Sequence, residues 1–84
     1  MEKLKEYRDE IEKLDAEIAN LLVKRMKLSK KIGDYKRENG LPVFDAQREL
    51  ELKEKNILAV EQEYQKGYQE VFEMILKVSK DLQL

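Results

Sequence analysis

Five polar side chains fall on positions that the surrounding apolar pattern assigns to helix interiors: Arg25, Lys36, Arg48, Ser79 and Gln83. The first lies in the stretch LLVKRMKLSKKIGDYK, residues 21 to 36. Alternating steps of three and four from Leu4 pass through Tyr7, Ile11, Leu14, Ile18 and Leu21, meet Arg25, and continue through Leu28, Ile32 and Tyr35. Such spacing is one face of a helix, so Arg25 is a fixed cation in an otherwise apolar seam. Lys36 follows eleven residues later, three turns on and about 20° around, on nearly the same face. Two long cationic side chains reaching toward each other over roughly 16 Å of axis can grip a small anion between them.

The other inward groups suit the same chemistry. Arg48 and Glu49 stand in the first turn beyond Asp45, and an arginine there opposes the helix dipole unless an anion is nearby. Ser79 and Gln83 come seven residues after Phe72 and Leu76 on the apolar stripe of the last helical segment, Tyr68, Val71, Phe72, Ile75, Leu76, Ser79, Leu82 and Gln83. A helical serine can be satisfied by a carbonyl one turn back, so Ser79 alone proves little. Taken together, the buried cations lack a matching set of inward carboxylates, and an unpaired buried charge is prohibitive. The missing counter-charge is read as a small, polyanionic ligand with further hydrogen-bonding groups.

Three helices must position these groups. The first reads from Glu2 to Asn39, interrupted only by Gly33, and Asn39-Gly40 with Pro42 ends it. Gly33 suits close approach of another helix, or of a ligand. The second starts at the N-cap residue Asp45 and runs through AQRELELKEKNILAVEQEY, with a weaker stripe at Leu50, Ile57, Leu58 and Tyr64. A connection at Lys66-Gly67 leads to a third helix from Tyr68 to Leu82. Gln83, in the terminal turn, is expected to fray.

The first helix would span about 57 Å, whereas a compact globule of this chain length is about 30 Å across. Its seam therefore calls for a second chain, and an obligate dimer is expected. If two such helices pair antiparallel near residue 20, Arg8 of the partner subunit falls level with residue 32, between Arg25 and Lys36. In its own chain Arg8 lies roughly 25 Å from Arg25.

Composition narrows the classes. The 84 residues are 42% charged and 7% aromatic, with one proline and three glycines, the profile of a single small helical domain. Histidine and cysteine are absent. That removes disulfides, the commonest metal ligand and the commonest general base. No apolar run reaches the length of a membrane span, so no membrane association and a cytoplasmic location are expected. The net charge of −1 conceals a basic segment, residues 24 to 37, with seven cations against Asp34 alone. Lys24, Lys27, Lys30 and Lys31 read as a solvated face. Nucleic acid is not the expected partner, because it would need the cations outside.

The motifs YRDEIEKLDAEIANLLVKR, IGDYK, GLPVFDAQRE and SKDLQ resemble the all-helical class of chorismate mutase, and the resemblance covers essentially the whole chain. It implies an all-α fold: residues 1–84 form one chorismate mutase domain of three helices, one very long. Two chains would intertwine as a homodimer, a six-helix bundle with two sites. It implies the Claisen rearrangement of the chorismate dianion to prephenate, in aromatic amino-acid biosynthesis, with no cofactor. By the same resemblance, Arg8 of the partner subunit, Arg25 and Arg48 bind the two carboxylates. Lys36 and Gln83 hydrogen-bond the ether oxygen. Glu49 holds the ring hydroxyl with help from the backbone near Asp45, and Ser79 contacts a carboxylate. A pericyclic reaction needs no nucleophile or proton shuttle, only a compact conformer and donors at the ether oxygen. An isochorismate pyruvate lyase of the same fold is the alternative enzyme. A non-catalytic helical dimerisation module is the alternative of another class, though it would have no use for Arg25.

Overall fold

The structure, a computed structural model, describes residues 2–84. Helix α1 spans Glu2–Glu38, α2 Ala46–Ile57 and α3 Gln65–Gln83, with one 3-10 turn at Gln62–Tyr64 before α3. Among the described residues the chain is all-helical. The order and the great length of α1 are as expected, and the longest dimension is 57 Å.

Helix α1 stops through its backbone. Gly40 adopts the left-handed conformation, φ 65°. Leu41 N–H then donates to Lys36 O at 2.8 Å and Gly40 N–H to Arg37 O at 3.5 Å. This pair of bonds closes the last turn and needs a residue without a Cβ steric penalty at position 40. The chain turns through Leu41–Phe44, and Asp45 starts α2 as its N-cap, its Oδ1 accepting from Arg48 N–H at 3.0 Å.

The boundary between α2 and α3 differs from the sequence expectation. Helix α2 ends at Ile57 rather than continuing through Tyr64, and Gly67 lies inside α3 rather than in a connection. The backbone leaves α2 through the bonds Ala59 N–H to Asn56 O and Val60 N–H to Ile57 O, both 3.1 Å. Gln65 braces the break: its Nε2 donates to Val60 O at 3.0 Å and to Ile57 O at 3.4 Å. The side chain thus reinforces the backbone turn that follows α2. Of the expected stripe of α2, Ile57 is half-buried and the other three positions are not. Leu50, Leu58 and Tyr64 are exposed, while Leu52 is half-buried.

Helices α1 and α2 each pack on α3 rather than on each other. Phe72 and Leu76 of α3 are the buried apolar residues. The face of α1 turned inward is Leu22, Arg25, Met26, Ser29, Gly33 and Lys36, one stripe over from the expected seam. The apolar seam residues from Leu4 to Tyr35 are 42% to 63% exposed within the chain. Within the chain α3 takes the neighbouring stripe, rich in small and polar residues, and leaves open the large apolar one that the sequence assigns to a second chain.

Candidate active site

Because α1 and α2 lean on α3 without meeting, a cleft opens between them with α3 as its floor. Its volume is about 480 Å³, in the range of small-molecule sites. Arg25 and Lys36 reach it from α1, Asp45, Arg48 and Glu49 from the start of α2, and Ser79 and Gln83 from α3. Seven of the eight residues singled out in the sequence thus line one cavity. Arg8 does not. It is exposed on the N-terminal half of α1.

Lys36 is the best-held cation of the cleft. Its Nζ donates to Gln83 Oε1 at 2.7 Å and to Val43 O at 2.9 Å. An ammonium has three protons, so one remains for a ligand. The bond to Val43 ties α1 to the loop before α2, and the bond to Gln83 ties α1 to the end of α3. Beyond Gln83 the polar line continues: Nε2 lies 3.5 Å from Ser79 Oγ, and the Ser79 and Ser29 hydroxyls share a hydrogen bond of 2.6 Å. The serine pair settles how Ser79 is satisfied. Its partner is a hydroxyl on another helix.

Gln83 closes α3 as its last helical residue. It is 9% exposed, and Gly33 explains why it fits. A Cβ built on Gly33 would stand 2.6 Å from Gln83 Cα and 2.8 Å from Gln83 O. Of the two uses that Gly33 suits, close helix packing is the one realised.

The cations are short of counter-charge. Among the described residues no carboxylate oxygen lies within 4.0 Å of the charged nitrogens of Arg25, Lys36 or Arg48, whereas Arg37 is paired with Asp34 and Lys53 with Glu73. Arg25 and Lys36 are half-buried and Arg48 is exposed. The desolvation burden in the single chain is therefore lighter than a sealed seam would impose. The Asp45 carboxylate is occupied as the cap of α2, which fixes Arg48 and Glu49 at the cleft edge.

Besides Leu28, Ile32 and Leu76, which stand in the sequence only as members of apolar stripes, sequence reasoning missed four lining residues: Ser29, Val43, Leu52 and Lys80. Ser29 had a signal, standing four residues after Arg25 and seven before Lys36. Val43 contributes a backbone carbonyl, which no side-chain pattern reveals. Lys80 Nζ stacks on the Phe44 ring, 4.9 Å from its centroid.

A family model described as chorismate mutase type II matches residues 7–84. The chain belongs to this family. The match takes in all of the cleft-lining residues and Arg8. Among curated relatives of this chorismate mutase family chain, the "Bifunctional chorismate mutase/prephenate dehydratase" of Aquifex aeolicus is 37% identical over 94 aligned positions. That alignment covers 100% of this chain and 26% of the relative. The "T-protein" of Haemophilus influenzae is 42% identical over 50 positions, 60% of this chain and 13% of that protein. The chain thus spans about a quarter or less of the curated relatives it matches. A solved structure, a conserved hypothetical protein from Pyrococcus furiosus, is 40% identical with a TM-score of 0.81. That superposition covers 98% of this chain and 96% of the other.

Proposed function

We propose that this chain is a chorismate mutase, an isomerase that rearranges chorismate to prephenate in aromatic amino-acid biosynthesis, with residues 1–84 as its catalytic domain. The observation that carries the reading is one small cleft in which Arg25, Lys36 and Arg48 converge, with no carboxylate partner for them among the described residues. A dianion of chorismate's size supplies the missing charge. Arg25 and Arg48 bind its carboxylates, with Ser79 beside them. Glu49 accepts from the ring hydroxyl near the Asp45 backbone.

The reaction breaks a C–O bond while a C–C bond forms within the same molecule, so the protein transfers no atom. Its work is to hold the compact conformer and to stabilise charge gathering on the ether oxygen. Lys36 has one uncommitted proton for that oxygen, and the Gln83 amide group has a second N–H for it. Both donors are fixed before substrate arrives, which is the condition under which such donors act most strongly.

The functional unit in this proposal is an intertwined homodimer, a six-helix bundle. The chain exposes 7336 Å² of surface, against about 5,200 Å² for a compact monomer of this mass. Its radius of gyration is 16.3 Å, against about 12 Å. The open seam of α1 supports a second chain as its cover. An antiparallel partner brings Arg8 of the partner subunit to the cleft as a third carboxylate ligand. None of this calls on nucleic acid or a membrane, and no described helix is long and apolar enough to cross one. The cytoplasm is the proposed compartment.

The test is to follow prephenate formation from chorismate with purified protein, alongside salicylate release from isochorismate. Prephenate formation without salicylate release is expected. Salicylate release, or turnover of neither substrate, would overturn the assignment.

A further inference from the structure

The segment Gly33-Asp34-Tyr35-Lys36-Arg37 does more at the end of α3 than present Lys36. Three of its members converge on Gln83. Gly33 gives up its side chain so that the Gln83 backbone can approach closely: a Cβ on Gly33 would stand 2.6 Å from Gln83 Cα. Lys36 bonds the Gln83 side-chain oxygen at 2.7 Å. Arg37 donates from Nη1 to the Gln83 main-chain oxygen at 2.8 Å, and at 3.4 Å to that of Leu84. Its Nη2 is paired with Asp34 one turn back on the same helix.

These contacts divide into two kinds. Lys36 meets the amide that faces the cleft, whereas Arg37 meets the main-chain oxygens of Gln83, in the last turn of α3, and of Leu84 beside it, where a helix has no donors of its own. A cation there also complements the negative end of the helix dipole. The Arg37 and Asp34 side chains are 52% and 62% exposed, so an ion pair of this kind adds little to overall stability. What it can fix is orientation, because a guanidinium offers donors in a rigid planar fork. Asp34 takes one arm and Gln83 the other.

We infer that Arg37, oriented by Asp34 and admitted by the bare backbone of Gly33, is a positioning residue that locks the terminal turn of α3 and so sets the Gln83 amide against Lys36. Arg37 does not line the cleft, so its effect on turnover passes through Gln83. The inference rests on the proposed role of Gln83 at the ether oxygen. It adds a reason why a residue in a terminal turn can hold a catalytic geometry. Misplacing such a donor by about 1 Å is enough to cost up to roughly a hundredfold in rate.

The experiment compares Arg37→Gln in the wild-type and Gln83→Ala backgrounds. Chorismate kinetics are measured with each, together with the ¹⁵N side-chain amide signals of Gln83, assigned by their loss in Gln83→Ala. In the wild-type background kcat is expected to fall about tenfold with KM within about twofold, and the Gln83 amide signals to shift or broaden. In the Gln83→Ala background Arg37→Gln should change kcat little, because nothing is left to position. An equal drop in both backgrounds, or unmoved Gln83 signals in Arg37→Gln, would overturn the inference. Full activity of Gln83→Ala would instead remove Gln83 from the reaction, and a positioning role for Arg37 in turnover would fall with it. The NMR signals separate that failure from a failure of the Arg37 contact itself.

Discussion

Lys36 enters the proposed reaction with two of its three protons already committed, to Val43 O and Gln83 Oε1. That arrangement makes it a rigid donor and gives it a second role in joining three elements. Lys36→Ala is expected to lower kcat by about 10²–10³, the usual penalty for removing an oxyanion-type donor. It should also cost about 1–2 kcal/mol of stability, because charge-assisted bonds to the loop and to α3 go with it. Steady-state kinetics and thermal melting check the two effects separately. Arg25 contrasts with it, being half-buried and without a carboxylate within 4.0 Å among the described residues. Arg25→Leu extends the apolar seam, so melting should be unchanged or raised while KM rises roughly 10–100-fold. A marked loss of stability would mean that the guanidinium serves the fold. Both residues were legible from their positions on an apolar face. Ser29 carried the same spacing, but a serine among lysines reads as solvent-facing until the Ser79 hydroxyl is known to lie opposite.

The helices themselves are positioned by terminal devices more than by a core. Gly40 in the left-handed region ends α1, the Asp45 carboxylate starts α2, and Gln65 braces the break between α2 and α3. The first two follow from short-range rules of helix termini, which is why the end of α1 and the start of α2 were readable. Gln65 follows no such rule, and Gly67 two residues later offered a misleading stop signal. The choice between adjacent α1 stripes was also hidden, since periodicity finds the larger apolar face without telling which chain covers it. The glycines test this picture as a pair. Gly67 lies in α3 with nothing within 4 Å of a built Cβ, so Gly67→Ala should stabilise by about 1 kcal/mol through helix propensity alone. Gly33→Ala gains the same propensity but drives a methyl into the Gln83 backbone. It is expected to be net destabilising and to lower kcat, as urea titration and kinetics of both variants would establish.

A molecule with two buried large apolar residues among those described and an open seam along its 57 Å length has most of its hydrophobic stabilisation still to gain. The proposed dimer supplies it, and folding and association should then be one process. The midpoint of thermal or denaturant unfolding is expected to rise with protein concentration over a hundredfold range, whereas a folded monomer would unfold independently of it. The dimer also gives Arg8 its use, and there the site and the architecture can be tested at once. Arg8→Ala and Lys36→Ala chains, each nearly inactive alone, are refolded together and prephenate formation is measured. With random pairing, half the dimers are mixed, and in each of these one site has both residues intact while the other lacks both. About a quarter of wild-type activity should return. If no activity returns although mass spectrometry shows mixed dimers, Arg8 does not act across the interface, and the shared-site account of this molecule is wrong.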